Sequence, residues 1–322
     1  MLLAKTAGCV ALAAITATAF TASVAHAQEA PYPNRYIRIL TSEAGSTNDI
    51  VSRVIARHLH DKLGQTVVVE NRGGPAADVA ARSPGDGYTL LLYGSSVWVL
   101  PYFRRMSYDP LRDLTAVSSA YSQAIILLVH PSLPVKSVKE LMALAKARPG
   151  QLNYSAGTTA ATPHLAMELF KYQSKLNFVR VNYRGTQPAV NALMAGEVQV
   201  MFTGAGSVMP IVKSGRLRAI AVTTAARSPL VPGLPTVAET GLPGYEFTSV
   251  VGVFAPAKTP PAIVDLLSRE IMAILKRPDV ADPLFESGTA SLGSTPEEFG
   301  NRVRADIERW RKVIKDTGIQ IE

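Results

Sequence analysis

The chain has 322 residues, 33 Lys and Arg against 25 Asp and Glu, a formal charge of +8 and one cysteine. A single cysteine excludes an internal disulfide and a multi-thiolate metal site, and this length suits one large or two moderate α/β domains. A basic surface steers acidic solutes, whereas no dense Lys/Arg cluster points to nucleic acid.

Residues 1–27 read as a secretory signal peptide. Lys5 supplies the positive start, residues 7–24 are apolar, and Ala25-His26-Ala27 fits the small-x-small cleavage pattern. A membrane anchor would carry a positive flank after the stretch, and none follows. Cys9 has Thr6 where a lipobox needs a larger aliphatic residue, so lipidation is not expected. No later apolar run reaches membrane-spanning length. A soluble exported protein without an anchor is retained by an outer membrane, so the expected location is periplasmic.

From residue 36 onward strands and helices alternate. Residues 36–41 form an apolar strand, followed by a helix over 47–63. Its expected buried stripe is Ile50, Val51, Val54, Ile55, Leu59 and Leu63, with Gly64 as the stop. Residues 67–70 and 88–93 are further strands, and 124–129 is an all-apolar strand of the kind buried on both faces. Ser137 and Glu140 make a capping box for a helix to Arg148, ended by Pro149-Gly150. Residues 152–155 are a strand, and Thr162-Pro163 caps and starts the next helix. Strands at 178–182, 198–202 and 217–223 then alternate with helices at 187–195 and 208–213. After the long apolar strand 247–254 come helices at 260–276 and 296–316, the second behind a Thr295/Glu298 box with Gly318 past its end. This order gives an α/β class with parallel sheets covered on both faces.

Two loops carry the functional signal. Residues 41–49 and 155–162 are built mostly of Ser, Thr, Gly, Ala and Asn, and each joins a strand to a helix start. Free backbone N–H groups and the positive helix end make such a loop an anion site without any Arg or Lys. In open α/β sheets ligands sit beyond the carboxyl ends of strands. The candidate ligand-binding residues are Ser42, Gly45, Ser46, Thr47 and Asn48 in the first loop and Gly157, Thr158, Thr159, Thr162 and His164 in the second. Ser95 and Ser96 follow a strand at the same edge. Glu43 reads as a solvated carboxylate ahead of a receiver for an amino group. His58 and His60 are two apart on a helix and cannot share a metal, and His130, before Pro131, reads as structural. Gly204-Ala205-Gly206 is a fragment of a dinucleotide fingerprint with Met209 in place of the third glycine, so it reads as a tight turn approaching a cleft. No cofactor or metal is expected. No Gly-x-Ser-x-Gly elbow, Walker loop, His-Glu-x-x-His or cysteine nucleophile occurs. A hydrolase assembled from scattered Ser, His and Asp is the enzymatic alternative.

Several motifs recur in a characteristic order. Glu70-Asn71-Arg72, Asp86-Gly87-Tyr88-Thr89-Leu90, Tyr108-Asp109-Pro110 and Leu152-Asn153-Tyr154 come first. Asn182-Tyr183-Arg184-Gly185, residues 196–202, 215–222, 234–239 and 241–244, and Gly252-Val253-Phe254-Ala255-Pro256 follow. Together they resemble the periplasmic solute-binding receptors of tripartite tricarboxylate transporters, the Bug family, over essentially the whole chain beyond the signal. The resemblance implies the two-lobed periplasmic-binding-protein fold, type II-like, with two doubly wound sheets joined by a two-strand hinge. The strands near Ala124 and Phe247 bracket the middle segment as crossings, with one lobe from 28–126 and 252–322 and the other from 127–251. It also implies capture of a small carboxylate by amides, hydroxyls and ordered water, integral-membrane transporter subunits as partners, and a monomer. A sensor role for a membrane signalling protein is the alternative use of the same pocket. The chain departs from the family pattern at Ser46, where a second glycine is usual, in a glycine-poor second loop, at Thr203-Gly204, where many members carry an Asp, and at Val251. Thr203 joins the candidate pocket residues on this ground.

Overall fold

A computed structural model describes residues 31–103, 105–156 and 161–317. The expected signal peptide and Gly157, Thr158 and Thr159 lie outside the described residues. In chain order, β1 (Ile37–Thr41), α1 (Thr47–Leu63), β2 (Val67–Asn71), α2 (Ala76–Ala81), β3 (Thr89–Tyr93) and the one-turn α3 (Ser96–Val99) lead to β4 (Leu114–Gln123). Only Ala124 separates β4 from β5 (Ile125–Val129). Then come α4 (Val138–Ala147), β6 (Asn153–Ala156), α5 (Thr162–Ser174), β7 (Val179–Asn182), α6 (Thr186–Ala195), β8 (Val200–Gly204), α7 (Ala205–Lys213), β9 (Arg218–Val222) and α8 (Val237–Thr240). β10 (Ser249–Pro256), α9 (Pro261–Leu275), α10 (Pro278–Glu286), β11 (Thr289–Ser291) and α11 (Pro296–Thr317) complete the fold.

Local chemistry explains the helix boundaries. Ser46 is extended and its side chain accepts from Asp49 N, which opens α1, and Gly64 closes it in the left-handed conformation at φ 66°. Thr295 and Glu298 make both arms of their box before α11. Before α4 only one arm forms as expected: Ser137 accepts from Glu140 N, but Glu140 Oε2 takes the N–H of Lys136. Ile50 departs from the expected stripe and is 51% exposed. Val51, Ile55 and Leu59 define the buried line of α1, and Ile50, about 100° back around the helix from Val51, falls on the outer side.

The first sheet has the order β11-β4-β10-β3-β1-β2 and the second β7-β6-β8-β5-β9. Both are mixed, where parallel sheets were expected. β1 pairs parallel with β2 and β3, and β6 with β7 and β8, but β10 runs antiparallel to β3 and β4 and β5 antiparallel to β8 and β9. The reason is topological. β3 and β8 run toward the edge where the sheets meet, whereas β5 and β10 have just crossed it and run away.

Side chains alternate between two helical layers of the first sheet. Ile37, Ile39, Leu90 and Leu92 pack with α1 and α9, and Leu40 and Leu91 with α2, α3 and α11. On α11 the buried line is Phe299, Val303, Ile307, Trp310 and Val313, the spacing of one helical face. Gly252 in β10 is required by this layer, because a Cβ there would lie 2.1 Å from the Phe299 ring. The same apolar cluster continues into the second sheet through Ile125, Phe170 and Phe202. Residues Tyr32–Glu322 accordingly form one compact unit with two lobes, one per sheet. The second crossing returns between residues 223 and 248, where Phe247 N donates to Thr223 O at 2.8 Å and Thr223 Oγ1 to Phe247 O at 2.7 Å.

Candidate ligand-binding cleft

The loop after β1 folds around a carboxylate of its own. Gly45, at φ 78°, donates its N–H to Asp49 Oδ2 at 2.9 Å. Asn71 Nδ2 reaches both Asp49 Oδ1 and Ser42 O, at 2.9 and 2.8 Å, and Arg53 Nε pairs with Asp49 Oδ1 at 3.0 Å. Burial alone would raise the Asp49 carboxyl, but the hydrogen bonds from Gly45, Asn71 and Arg53 hold it below its ordinary value. Ser46 Oγ is engaged by Ser42 Oγ at 2.8 Å and by Asp49 N. Gly45 and Ser46 therefore build the loop, and their polar groups are already engaged. The amides of Thr47 and Asn48, the first two of α1, have no backbone partner among the described residues and sit half-buried at the helix end.

The crossing strands tie this helix end to that of α5. Gln123 and Ser249 are register partners on β4 and β10, so their side chains lie on one face about 4.5–5.5 Å apart at Cα. Gln123 Nε2 donates to Thr47 Oγ1 at 2.9 Å, and Ser249 Oγ to Thr162 Oγ1 at 3.5 Å. Tyr121, two residues before Gln123, donates its hydroxyl to Asn48 Oδ1. Gly204, at the start of α7, faces the same amide: a Cβ there would stand 3.0 Å from Gln123 Oε1. The starts of α1, α5 and α7 thus gather over one polar strip of the two crossing strands. Thr162 is not the cap expected of it. Ala161 holds the cap position, Thr162 is the first helical residue, and its side chain makes no capping bond.

Other expected residues lie elsewhere. His164 is 2% exposed and faces the interior, with Nε2 3.9 Å from Glu168 Oε1. Tyr154 OH and Lys171 Nζ also bond Glu168, at 2.5 and 2.9 Å. Burial first, then the charges of Arg180 and Lys171, push the His164 imidazole down to about 3, so it is neutral at ordinary pH. Its phase on α5 turns it into the interior of the lobe. Thr203 is buried on β8 beside Met201's side of the strand, away from Gly204. Ser95 is buried and Ser96 opens α3; Ser95 borders a cavity on the other side of β10. Glu43 is exposed as expected, and its charge, after burial, helps push the Tyr93 phenol up to about 12. His58 and His60 join no cluster: among the described residues no three His, Cys, Asp or Glu side chains are arranged to hold a metal. The reading of Gly204–Gly206 as a close approach fits, since a Cβ on Gly206 would fall 2.0 Å from the Ser287 carbonyl oxygen of the other lobe. Gln123, Tyr121 and Ser249 were missed. For Ser249 the available signal was a polar residue near the start of the apolar strand 247–254; for Tyr121 and Gln123 there was none, since serines break the pattern of their strand.

Around this strip the described residues offer donors and helix ends to an anion. The family model for the tripartite tricarboxylate transporter family receptor matches residues 51–319. Protein BugT of Bordetella pertussis is 34% identical over 299 residues, covering 90% of this chain and 92% of BugT. Among solved structures, R. palustris Rpa4515 with adipate is 35% identical with a TM-score of 0.82, covering 90% of this chain and 99% of that one. MatC from Rhodopseudomonas palustris with bound malate is 27% identical with a TM-score of 0.79, covering 88% and 100%. The relatives are solute-binding proteins and not enzymes, and no helix among the described residues is long and apolar enough to cross a membrane. With the fold, the paired helix ends and the match in agreement, this chain belongs to the tripartite tricarboxylate transporter receptor family of periplasmic solute-binding proteins.

Proposed function

We propose that the protein captures a small aliphatic dicarboxylate in the periplasm, between its two lobes, and delivers it to integral-membrane subunits of a tripartite transporter. The two lobes, expected at 28–126 with 252–322 and at 127–251, follow the two sheets, with β5 in the second and β10 in the first, and hinge where the chain crosses at Ala124 and near Thr248. The observation that carries this reading is the pair Gln123 and Ser249, which hold Thr47 and Thr162 over one strip of the crossing strands. Thr47, Asn48 and Thr162 supply amides and hydroxyls, and the buried Ser42 and the expected Gly157, Thr158 and Thr159 belong to the same proposal. Arg53, beside the first loop, is already paired with Asp49, so the ligand's charge is met by helix ends and N–H groups. The adipate and malate of the two related structures support this choice of substrate class. Residues 1–27 serve as the export signal, removed to leave Gln28 first.

A thermal-shift titration of the mature chain against adipate, malate, an amino acid and a neutral amide tests the reading. A diacid at about 100 times its dissociation constant stabilises by about 2.7 kcal/mol. Stabilisation by the amino acid alone, or by none of the four, refutes it.

A further inference from the structure

Beyond β10 from the cleft lies a cavity of about 250 Å³. Thr248 and Val250 line it, and since side chains alternate along a strand they point away from the face bearing Ser249. The remaining walls are Ser95 and Trp98 at α3 and a stripe of α11 that includes Arg302, Ala305 and Asp306. Three rings, Trp98, Phe247 and Phe299, enclose its apolar part.

Its charges are unequal. Asp306 accepts from Trp98 Nε1 at 2.8 Å and from Arg309 Nη2 at 2.5 Å, whereas Arg309 Nε is buried with no hydrogen-bond partner among the described residues. Arg302 has no ion pair or hydrogen bond among the described residues and contributes one unopposed positive charge. Ser95 is 7% exposed, and its Oγ has no hydrogen-bond partner among the described residues. An apolar cavity of about 150 Å³ accepts benzene, so this volume takes a ring with one polar substituent. We propose that this cavity is a second small-molecule site, selective for a monocyclic aromatic monocarboxylate. The ring lies against Trp98, Phe247 and Phe299 and the carboxylate pairs with Arg302. A dianion is disfavoured, because its second carboxylate would stand beside the Asp306 carboxylate.

The chain contains two tryptophans, so ¹⁵N spectra show two indole signals, and Trp310→Phe assigns the one from Trp98. Benzoate should move the Trp98 signal saturably. Arg302 and Ala305 are exposed on α11, so substitutions there spare the core. Arg302→Glu should weaken benzoate binding about tenfold or more, with Arg302→Gln, which only removes the charge, moving it in the same direction. Ala305→Leu, which fills the cavity, should abolish it, while the melting temperature of each variant stays within a degree or two of the parent's. A Trp98 signal that benzoate leaves unmoved, or that moves with undiminished affinity in the folded Arg302 or Ala305 variants, overturns the proposal.

Discussion

The contact between Gly206 and the Ser287 carbonyl puts the relation between the lobes within reach of one methyl group. Gly206 lies in the first turn of α7, on the second sheet's lobe, and Ser287 follows α10 on the first. A Cβ on Gly206 would stand 2.0 Å from Ser287 O, where ordinary contact begins at 3.4 Å. Gly206→Ala therefore requires the two backbones to separate by about 1.4 Å, the gap between those two distances. The opposing surface is backbone too, for Gly288 abuts Gly206 N, so no side chain can swing aside. Overpacking costs about 1–3 kcal/mol, whereas the helix propensity that alanine gains acts with and without the contact and cancels. The penalty, about 1–3 kcal/mol, falls only on the arrangement in which the lobes touch here. If the ligand stabilises that arrangement, its affinity should fall about 5- to 150-fold and the unliganded radius of gyration should rise. Calorimetry and small-angle scattering measure both, with the exposed Lys213→Ala on the same helix as control. An unchanged affinity and an unchanged scattering profile would refute the view that ligand binding and this contact belong to the same state.

Thr162→Asp puts a like charge beside the bound acid and should abolish binding, whereas Thr162→Ala should cost about 0.5–1.5 kcal/mol; calorimetry on the folded variants reads both. Gln123→Ala should lower ligand affinity through Thr47 by a similar amount, and unaltered binding would show that the crossing strand does not position α1. Asp49→Ala leaves the Gly45 N–H and Asn71 without their acceptor, so denaturant unfolding should show a loss of about 1.5–3 kcal/mol. His164 has a folded value near 3 against 6.5 for the ordinary imidazole. The unfolded chain therefore takes up the proton first, and stability conferred by the neutral ring is full above about 6.5 and lost as pH falls toward 3. His164→Gln should flatten the melting temperature over that window, and an equal slope in parent and variant would contradict the buried placement.

Elements with a strong local signal were legible in the sequence. α1 needs only its periodicity, Ser46 and Gly64, and α11 its Thr295/Glu298 box, and the mixture of strands and helices was enough for the α/β class. β4 was not legible, although it is the longest strand, because Ser118, Ser119, Ser122 and Gln123 interrupt its apolar pattern. Part of this strand is satisfied tertiarily: Ser118 Oγ accepts from Ser294 N, and Ser294 Oγ in turn accepts from the backbone N–H of Ser119. Pairing direction was hidden for a related reason, since nothing local to β5 or β10 reports that the chain has just changed lobes. At the cleft the loops were visible by composition, but the role of each residue depended on what lay opposite. Gly45 looked like an anion donor until Asp49 closed on it, and His164 like a cleft residue until its helical phase turned it toward Glu168.

The placement of Gln123 and Ser249 links recognition to movement by geometry alone. Both side chains stand within two residues of a crossing, Gln123 beside Ala124 and Ser249 beside Thr248. Gln123 bonds the helix end of its own lobe, Thr47, whereas Ser249, also on the first sheet, reaches across to Thr162 of the other lobe. A rotation at Ala124 and Thr248 would therefore preserve the first bond and stretch the second, already long at 3.5 Å. An anion held between Thr47 and Thr162 would resist the same rotation, because it would replace a neutral hydroxyl pair with charge-assisted bonds to both ends. Ser249→Ala separates the contributions. It should leave stability within about 0.5–1.5 kcal/mol of the parent while enlarging the unliganded particle in scattering, and saturating ligand should restore the compact profile. A variant that remains as compact as the parent without ligand would show that Ser249 and Thr162 do not hold the lobes together.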